Sequence, residues 1–202
     1  MPLTLDAVRD VLNTDPDPMH TPGVRRAAVA MLLDDRMDML LMQRAVRAGD
    51  PWSGHLSFPG GHVDAGDRSD LHAALRETEE EVGLELHPER LLGPLSPIPT
   101  RGRGVPRRII APFVFRAPDL RALDDLPPND EVARVLRVPL PTLLEGVGRS
   151  HFTLEHQGTP WTLPQVALGN VRLWGLTLQI VDELLDRLDG LGTGLDRPLG
   201  AS

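Results

Sequence analysis

The sequence contains no cysteine, which excludes disulfides, thiolate zinc sites and cysteine nucleophiles by inventory. It has no apolar run near the roughly 20 residues that a bilayer span requires, so no membrane partner is expected. The first residues, MPLTLDAVRDVLNTD, lack a basic stretch followed by an apolar one. They read as a short amphipathic helix rather than an export signal, and a cytoplasmic protein is expected. Positive charge is scarce: the formal net charge is −8. Non-specific binding of nucleic acid needs many phosphates neutralised by Lys and Arg, so nucleic acid is not an expected partner, whereas a small phosphorylated ligand held by a local basic patch is. The sequence also lacks a Gly-x4-Gly-Lys-Ser/Thr loop and a strand-Gly-x-Ser-x-Gly-helix element, which argues against a P-loop switch and a serine nucleophile.

What is present fits one domain with trimmings, because 202 residues bury one good core and would leave two domains small for their surface. Residues 1–23 give a helix and a Pro-rich connector, and the Gly- and Pro-containing tail from Gly190 is expected to fray. Arg25 to Leu33 and Met37 to Arg44 read as the strands of a hairpin turning at Asp34 to Arg36. Leu56 to Phe58 is followed by Pro59-Gly60-Gly61, where close backbone approach is expected. Ser69 is placed to cap a helix beginning near Asp70, and Gly83 to end it. Arg90 to Ile98 and Arg108 to Phe115 are expected strands flanking an Arg- and Gly-rich loop. Val132 to Val138 is another, leading into a short helix at Thr142 to Glu145. Phe152 to Val166 reads as a hairpin about Gln157-Gly158, and Gly175 to Leu188 as an amphipathic helix whose apolar spacing is core.

The chemistry concentrates in Gly60 to Leu84, GGHVDAGDRSDLHAALRETEEEVGL. At about 100° per residue, Glu77, Glu80 and Glu81 fall within an arc of about 100°, while Leu71, Leu75, Thr78 and Val82 form an expected core face. Like charges at these spacings repel by roughly 0.2–0.5 kcal/mol per pair, so they call for a compensating cation or for full solvation. Hard divalent cations with oxygen ligands supply that compensation.

This segment resembles the signature of the Nudix hydrolases. Gly61 matches its first Gly, and Arg76, Glu77, Glu80, Glu81, Gly83 and Leu84 match its second half in register. Three departures stand out: Asp67 replaces a Glu, eight residues rather than seven separate it from Arg76, and Thr78 fills an apolar slot. The resemblance implies an α+β protein, an α/β/α sandwich with a mixed sheet between helices. It also implies Mg2+ or Mn2+ held by Glu80 and Glu81, with Glu77 as a third ligand or a base and the Gly61 carbonyl as a further donor. Asp67 and Arg76 would brace the loop. The upstream stretch LLMQRAVRAGDPWSGHLSFPGG is similar to the motif that precedes this box in coenzyme A diphosphatases, through Arg44, Gly54 and Phe58 to Gly61; the spacing from Arg44 to Gly54 is one residue longer, and Arg47 lies nearer to Arg44. Coenzyme A is therefore the favoured substrate, with ADP-ribose, NADH and nucleoside triphosphates as alternatives. A non-catalytic nucleotide-binding regulator is the reading from another class, and a homodimer is compatible with any of these.

Arg44 and Arg47 are candidate substrate ligands under this reading. Arg103 and Arg107, with Arg101 and Arg108 in the same loop, either grip an anionic ligand or are solvated. Glu131 resembles an acid that binds metal or positions water in related enzymes; a strand-edge charge is the bland alternative. The histidines form no cluster by spacing, and His62, beside Gly61, is the one candidate for substrate contact. Trp52 and Trp174 are expected to pack rather than to stack on a base.

Overall fold

A computed structural model of the chain describes residues 3–15, 24–50, 52–102, 105–156 and 158–190, without the side chains of 101, 102, 105–107 and 156. The elements run α1 (Leu5–Val11), β1 (Arg25–Leu33), β2 (Asp38–Arg44), β3 (Leu56–Ser57), β4 (Gly60–His62), α2 (Asp70–Val82), β5 (Leu91–Pro94), β6 (Ile98–Gly102), β7 (Val105–Arg116), β8 (Val132–Pro139), α3 (Leu140–Leu144), β9 (Arg149–His156), β10 (Thr159–Leu168), β11 (Val171–Trp174) and α4 (Gly175–Asp189). The Pro-rich connector and the tail beyond Gly190 lie outside the described residues. Among those described, no helix is long and apolar enough to cross a membrane.

β1 is apolar on both sides because both sides are covered. Its Ala28, Ala30 and Leu32 join Ala73, Ala74 and Val82 of α2 in one core, while Met31 and Leu33 join Val8 of α1 and Leu184 and Leu185 of α4 in the other. The period-two alternation thus builds the expected α/β/α sandwich. The sheet is mixed: β1 runs parallel to β7 from Arg25↔Arg108 to Leu33↔Arg116, and the remaining pairings are antiparallel. A separate three-stranded antiparallel sheet, β11-β10-β9, lies beyond it.

The expected β1–β2 hairpin is present, but its recorded pairing is confined to Leu33↔Met39. Past it β4 pairs with β1 and β3 with β2, and the Ala30 N–H donates to the Pro59 carbonyl at 2.8 Å. The split in the sheet holds the Gly60–Gly61 bend against α2. Gly60 has φ 148°, and a Cβ there would sit 2.3 Å from the Ala28 oxygen.

Three expectations need correction. Arg90 to Ile98 is broken into β5 and the start of β6, and the described residues of the expected loop, 99–102 and 105–107, belong to the β6–β7 pair. β11 was not foreseen. The buried face of α2 is centred on Ala73, Ala74, Thr78 and Val82, with Leu71 and Leu75 only half-buried, because small residues let the helix approach the sheet closely. Thr78 satisfies its hydroxyl within the helix by donating to the Ala74 carbonyl at 2.7 Å, which is how a polar residue occupies an apolar slot.

Candidate active site between helix α2 and the Gly60–Gly61 bend

The acidic edge of α2 is positioned by its caps. The Ser69 hydroxyl accepts the His72 N–H at 3.2 Å, and Gly83, at φ 67°, ends the helix just after the carboxylates. Glu81 is buried rather than fully solvated: it is 4% exposed, and its Oε2 accepts the Gly60 N–H at 2.8 Å. Burial pushes its carboxyl up to about 8, against the pull of that hydrogen bond, and the negative charges of Glu77 and Glu131 act in the same direction while Arg44 opposes. Glu77 is half-buried and is also raised by burial, with Arg76 opposing and Glu80 and Glu131 adding to the shift. Glu80 is exposed.

Arg76 is the hub of the loop. Its Nε and Nη2 reach both oxygens of Asp67 at 3.1 and 2.9 Å, so the pairing implied by the resemblance forms despite the altered spacing. A turn closed by the Asp67 N–H on the Asp64 carbonyl, at 3.0 Å, takes up the longer loop and brings the shorter acid to the guanidinium. Asp67 has a side chain only 1% exposed, and the Arg76 hydrogen bond holds its carboxyl well below the usual range. Nη1 of Arg76 also bonds Glu77 at 2.9 Å and Glu80 at 3.0 Å, and Nη2 bonds the His62 carbonyl at 3.1 Å.

Among the described residues no three His, Cys, Asp or Glu side chains converge as a formed metal cage. The donor chemistry nevertheless fits a hard divalent cation. A buried carboxyl, Glu81, stands within the fields of two further acids, and the Glu77 carboxylate lies so close over Gly61 that a Cβ there would be 2.5 Å from its carboxyl carbon. Glu77, Glu80, Glu81 and the Gly61 carbonyl are the groups that could hold the ion, and Arg76 gathers two of these carboxylates.

The opposite wall is the loop after β2. Arg44 bonds Asp50 at 3.0 Å through Nη2, and its Nε is buried without a protein partner. Arg47 donates from Nε to the Asp130 carbonyl at 2.9 Å and stands 3.6 Å from Glu131. Sequence reasoning missed Asn129, which ties this wall to α2: its Nδ2 donates to the Glu81 carbonyl at 2.9 Å, while its Oδ1 accepts the N–H groups of Glu131 and Val132 at 2.8 and 2.7 Å. The Asn-Asp-Glu sequence before a strand was the available signal, since Asn readily caps its own turn. His62 is exposed on β4 next to Gly61. Arg103 and the side chain of Arg107 lie outside the described residues. Trp52, expected to pack, is 57% exposed; Trp174 does pack, edge-on to His55 and Phe152.

A sandwich of this kind, with a glycine bend facing a helix edge of carboxylates and a bracing arginine, is matched by a family model for the NUDIX domain over residues 23–154. The chain belongs to the Nudix family and is a Nudix hydrolase, a class that generally uses divalent metals and acts on small nucleotide-derived substrates. Among its relatives is the mitochondrial coenzyme A diphosphatase NUDT8 of Mus musculus, 37% identical over 155 residues, covering 74% of this chain and 70% of that protein. The Homo sapiens protein of the same name is 33% identical over 152 residues, and the match covers 62% of its length. Of the solved structures, a MutT/nudix family protein from Enterococcus faecalis superposes with a TM-score of 0.57 at 21% identity, covering 85% of this chain and 64% of that one. The MutT protein of Methanosarcina mazei Go1 gives 0.53 at 16% identity, covering 87% and 99%. These two likenesses are of fold.

Proposed function

We propose that this Nudix hydrolase cleaves the diphosphate bond of coenzyme A or a derivative, releasing 3′,5′-ADP and phosphopantetheine, with Mg2+ or Mn2+ held by Glu77, Glu80, Glu81 and the Gly61 carbonyl. The observation that carries the reading is the buried Glu81 carboxyl beside the negative charges of Glu77 and Glu131, a deficit of positive charge that a divalent cation offsets. When bound, such an ion neutralises diphosphate oxygens and eases attack of water on phosphorus. The Gly60 N–H fixes the Glu81 carboxylate, and Arg76 keeps Glu77 and Glu80 on the same side of the helix. Arg44 and Arg47 grip phosphate oxygens. Glu131, its backbone fixed by Asn129, orients the attacking water and accepts its proton.

Coenzyme A is favoured because two relatives named as coenzyme A diphosphatases match over 74% of the chain, at 37% and 33% identity. A product-resolved assay tests this: with millimolar Mg2+, coenzyme A yields 3′,5′-ADP and phosphopantetheine, and faster than ADP-ribose, NADH or nucleoside triphosphates are cleaved. Preferential cleavage of any of those three replaces coenzyme A as the substrate, and cleavage of none of them contradicts the reading.

A further inference from the structure

An exposed tryptophan is unusual where the chain around it is firmly held. Trp52 lies in the loop between β2 and β3, whose base is closed by the Arg44 N–H on the His55 carbonyl at 3.0 Å and the Gly54 N–H on the Arg44 carbonyl at 3.2 Å. Within it the Trp52 N–H donates to Asp50 Oδ1 at 2.9 Å, and Ser53 Oγ both accepts the Arg47 N–H and donates to the Arg47 carbonyl, each at 2.9 Å. The indole meets His55 edge-on at 5.7 Å between centroids, and His55 meets Trp174 at 5.0 Å, which in turn meets Phe152 at 5.2 Å. Arg172 covers Phe152 at 4.5 Å. A row of rings anchored in the small sheet thus backs an indole that remains 57% exposed.

The same loop exposes Val46 to 84% and carries Arg47, with Arg44 at its base at the end of β2. Arg47 is 3.6 Å from Glu131, whose charge acts on both Glu77 and Glu81. Cationic groups for phosphate, in this short loop and at its base, therefore lie beside a preorganised aromatic face, the chemistry that suits a nucleotide: anionic at one end, flat and apolar at the other. Two χ angles and a held backbone leave little entropy to lose on stacking.

We infer that Trp52 is the platform on which the purine ring of the nucleotide substrate stacks. The inference rests on the reading of the substrate as a nucleotide-bearing diphosphate, and it names the residue that recognises the base. Binding of the two separate product halves tests it without turnover. Adenosine 3′,5′-bisphosphate and phosphopantetheine are titrated calorimetrically, in Mg2+, into the full chain and into Trp52→Leu and Trp52→Phe. Trp52→Leu keeps apolar bulk without an aromatic face and is expected to weaken adenosine 3′,5′-bisphosphate about ten-fold or more, as for loss of one base-stacking contact. Trp52→Phe retains most of the affinity, and phosphopantetheine binds all three proteins alike. Unchanged bisphosphate affinity in Trp52→Leu overturns the inference, as does an equal loss for both ligands, no bisphosphate binding by the wild type, or a Trp52→Phe no better than Trp52→Leu. Trp52-dependent binding without cleavage of coenzyme A leaves the platform standing and removes coenzyme A as the substrate.

Discussion

The carboxylate of Glu77 occupies the space that a side chain on Gly61 would need: a Cβ there would lie 2.5 Å from the Glu77 carboxyl carbon and from its Oε1. The clash is with the far end of a flexible side chain, so folding can tolerate it. Gly61→Ala should leave the melting temperature nearly unchanged, within about 1 kcal/mol of stability, while displaced carboxylate geometry lowers kcat by about 100-fold. Gly60→Ala is the contrasting case. Its Cβ meets backbone, at 2.3 Å from the Ala28 oxygen and 2.6 Å from the Val29 Cα, and its φ is 148°. It should cost about 3 kcal/mol or more in denaturant unfolding.

Glu81 gives a pH dependence with a definite sign. Its carboxyl is raised in the folded chain from 4.5 to about 8. Its stabilising contribution is therefore complete below about 4.5 and is lost as pH rises through about 8. In EDTA the melting temperature should fall between pH 5 and 9, and Glu81→Gln should flatten that fall while abolishing turnover. Below pH 8, Mg2+ binding should release protons and tighten as pH rises, which calorimetry in buffers of different ionisation enthalpy would read.

Asp67 and Arg76 should act as one unit. Asp67→Ala leaves a guanidinium without its bidentate partner and should destabilise the protein by about 3 kcal/mol. The turn at Asp64 matches the loop to a short acid. Asp67→Glu should therefore also destabilise, by about 1 kcal/mol or more through overpacking at a site 1% exposed. Denaturant midpoints of the two variants decide this.

Asn129→Ala should lower kcat with little effect on substrate affinity, because it frees the backbone N–H of Glu131 and cuts the link to the Glu81 carbonyl. The stability loss should stay near 2 kcal/mol for these hydrogen bonds. A parallel loss in Glu131→Gln, with no further loss in the double variant, would show that the two act together.

Helix α2 was legible because its signals are local: Ser69 and Gly83 bracket it, and its carboxylates share an edge. The burial of Glu81 was not, since periodicity places a residue on a face without telling what covers that face; here the Gly60 bend does. The same limit hid the nearly buried pair of Arg26 and Asp70, 44 residues apart, in which Arg26 Nε meets Asp70 Oδ1 at 2.9 Å at the start of α2. β11 escaped notice because four residues are too few to display alternation before Gly175. Trp52 was misjudged because residue type favours packing, whereas its exposure follows from loop closure at Arg44 and Gly54.

The account stands on a cation held by the acids of α2, and Mn2+ binding followed by electron paramagnetic resonance tests it most directly. The wild-type chain should bind Mn2+ at sub-millimolar concentration, with affinity falling at least ten-fold in each of Glu77→Gln, Glu80→Gln and Glu81→Gln, in step with turnover. Mn2+ affinity unchanged in all three variants, or turnover that persists in EDTA, would contradict it.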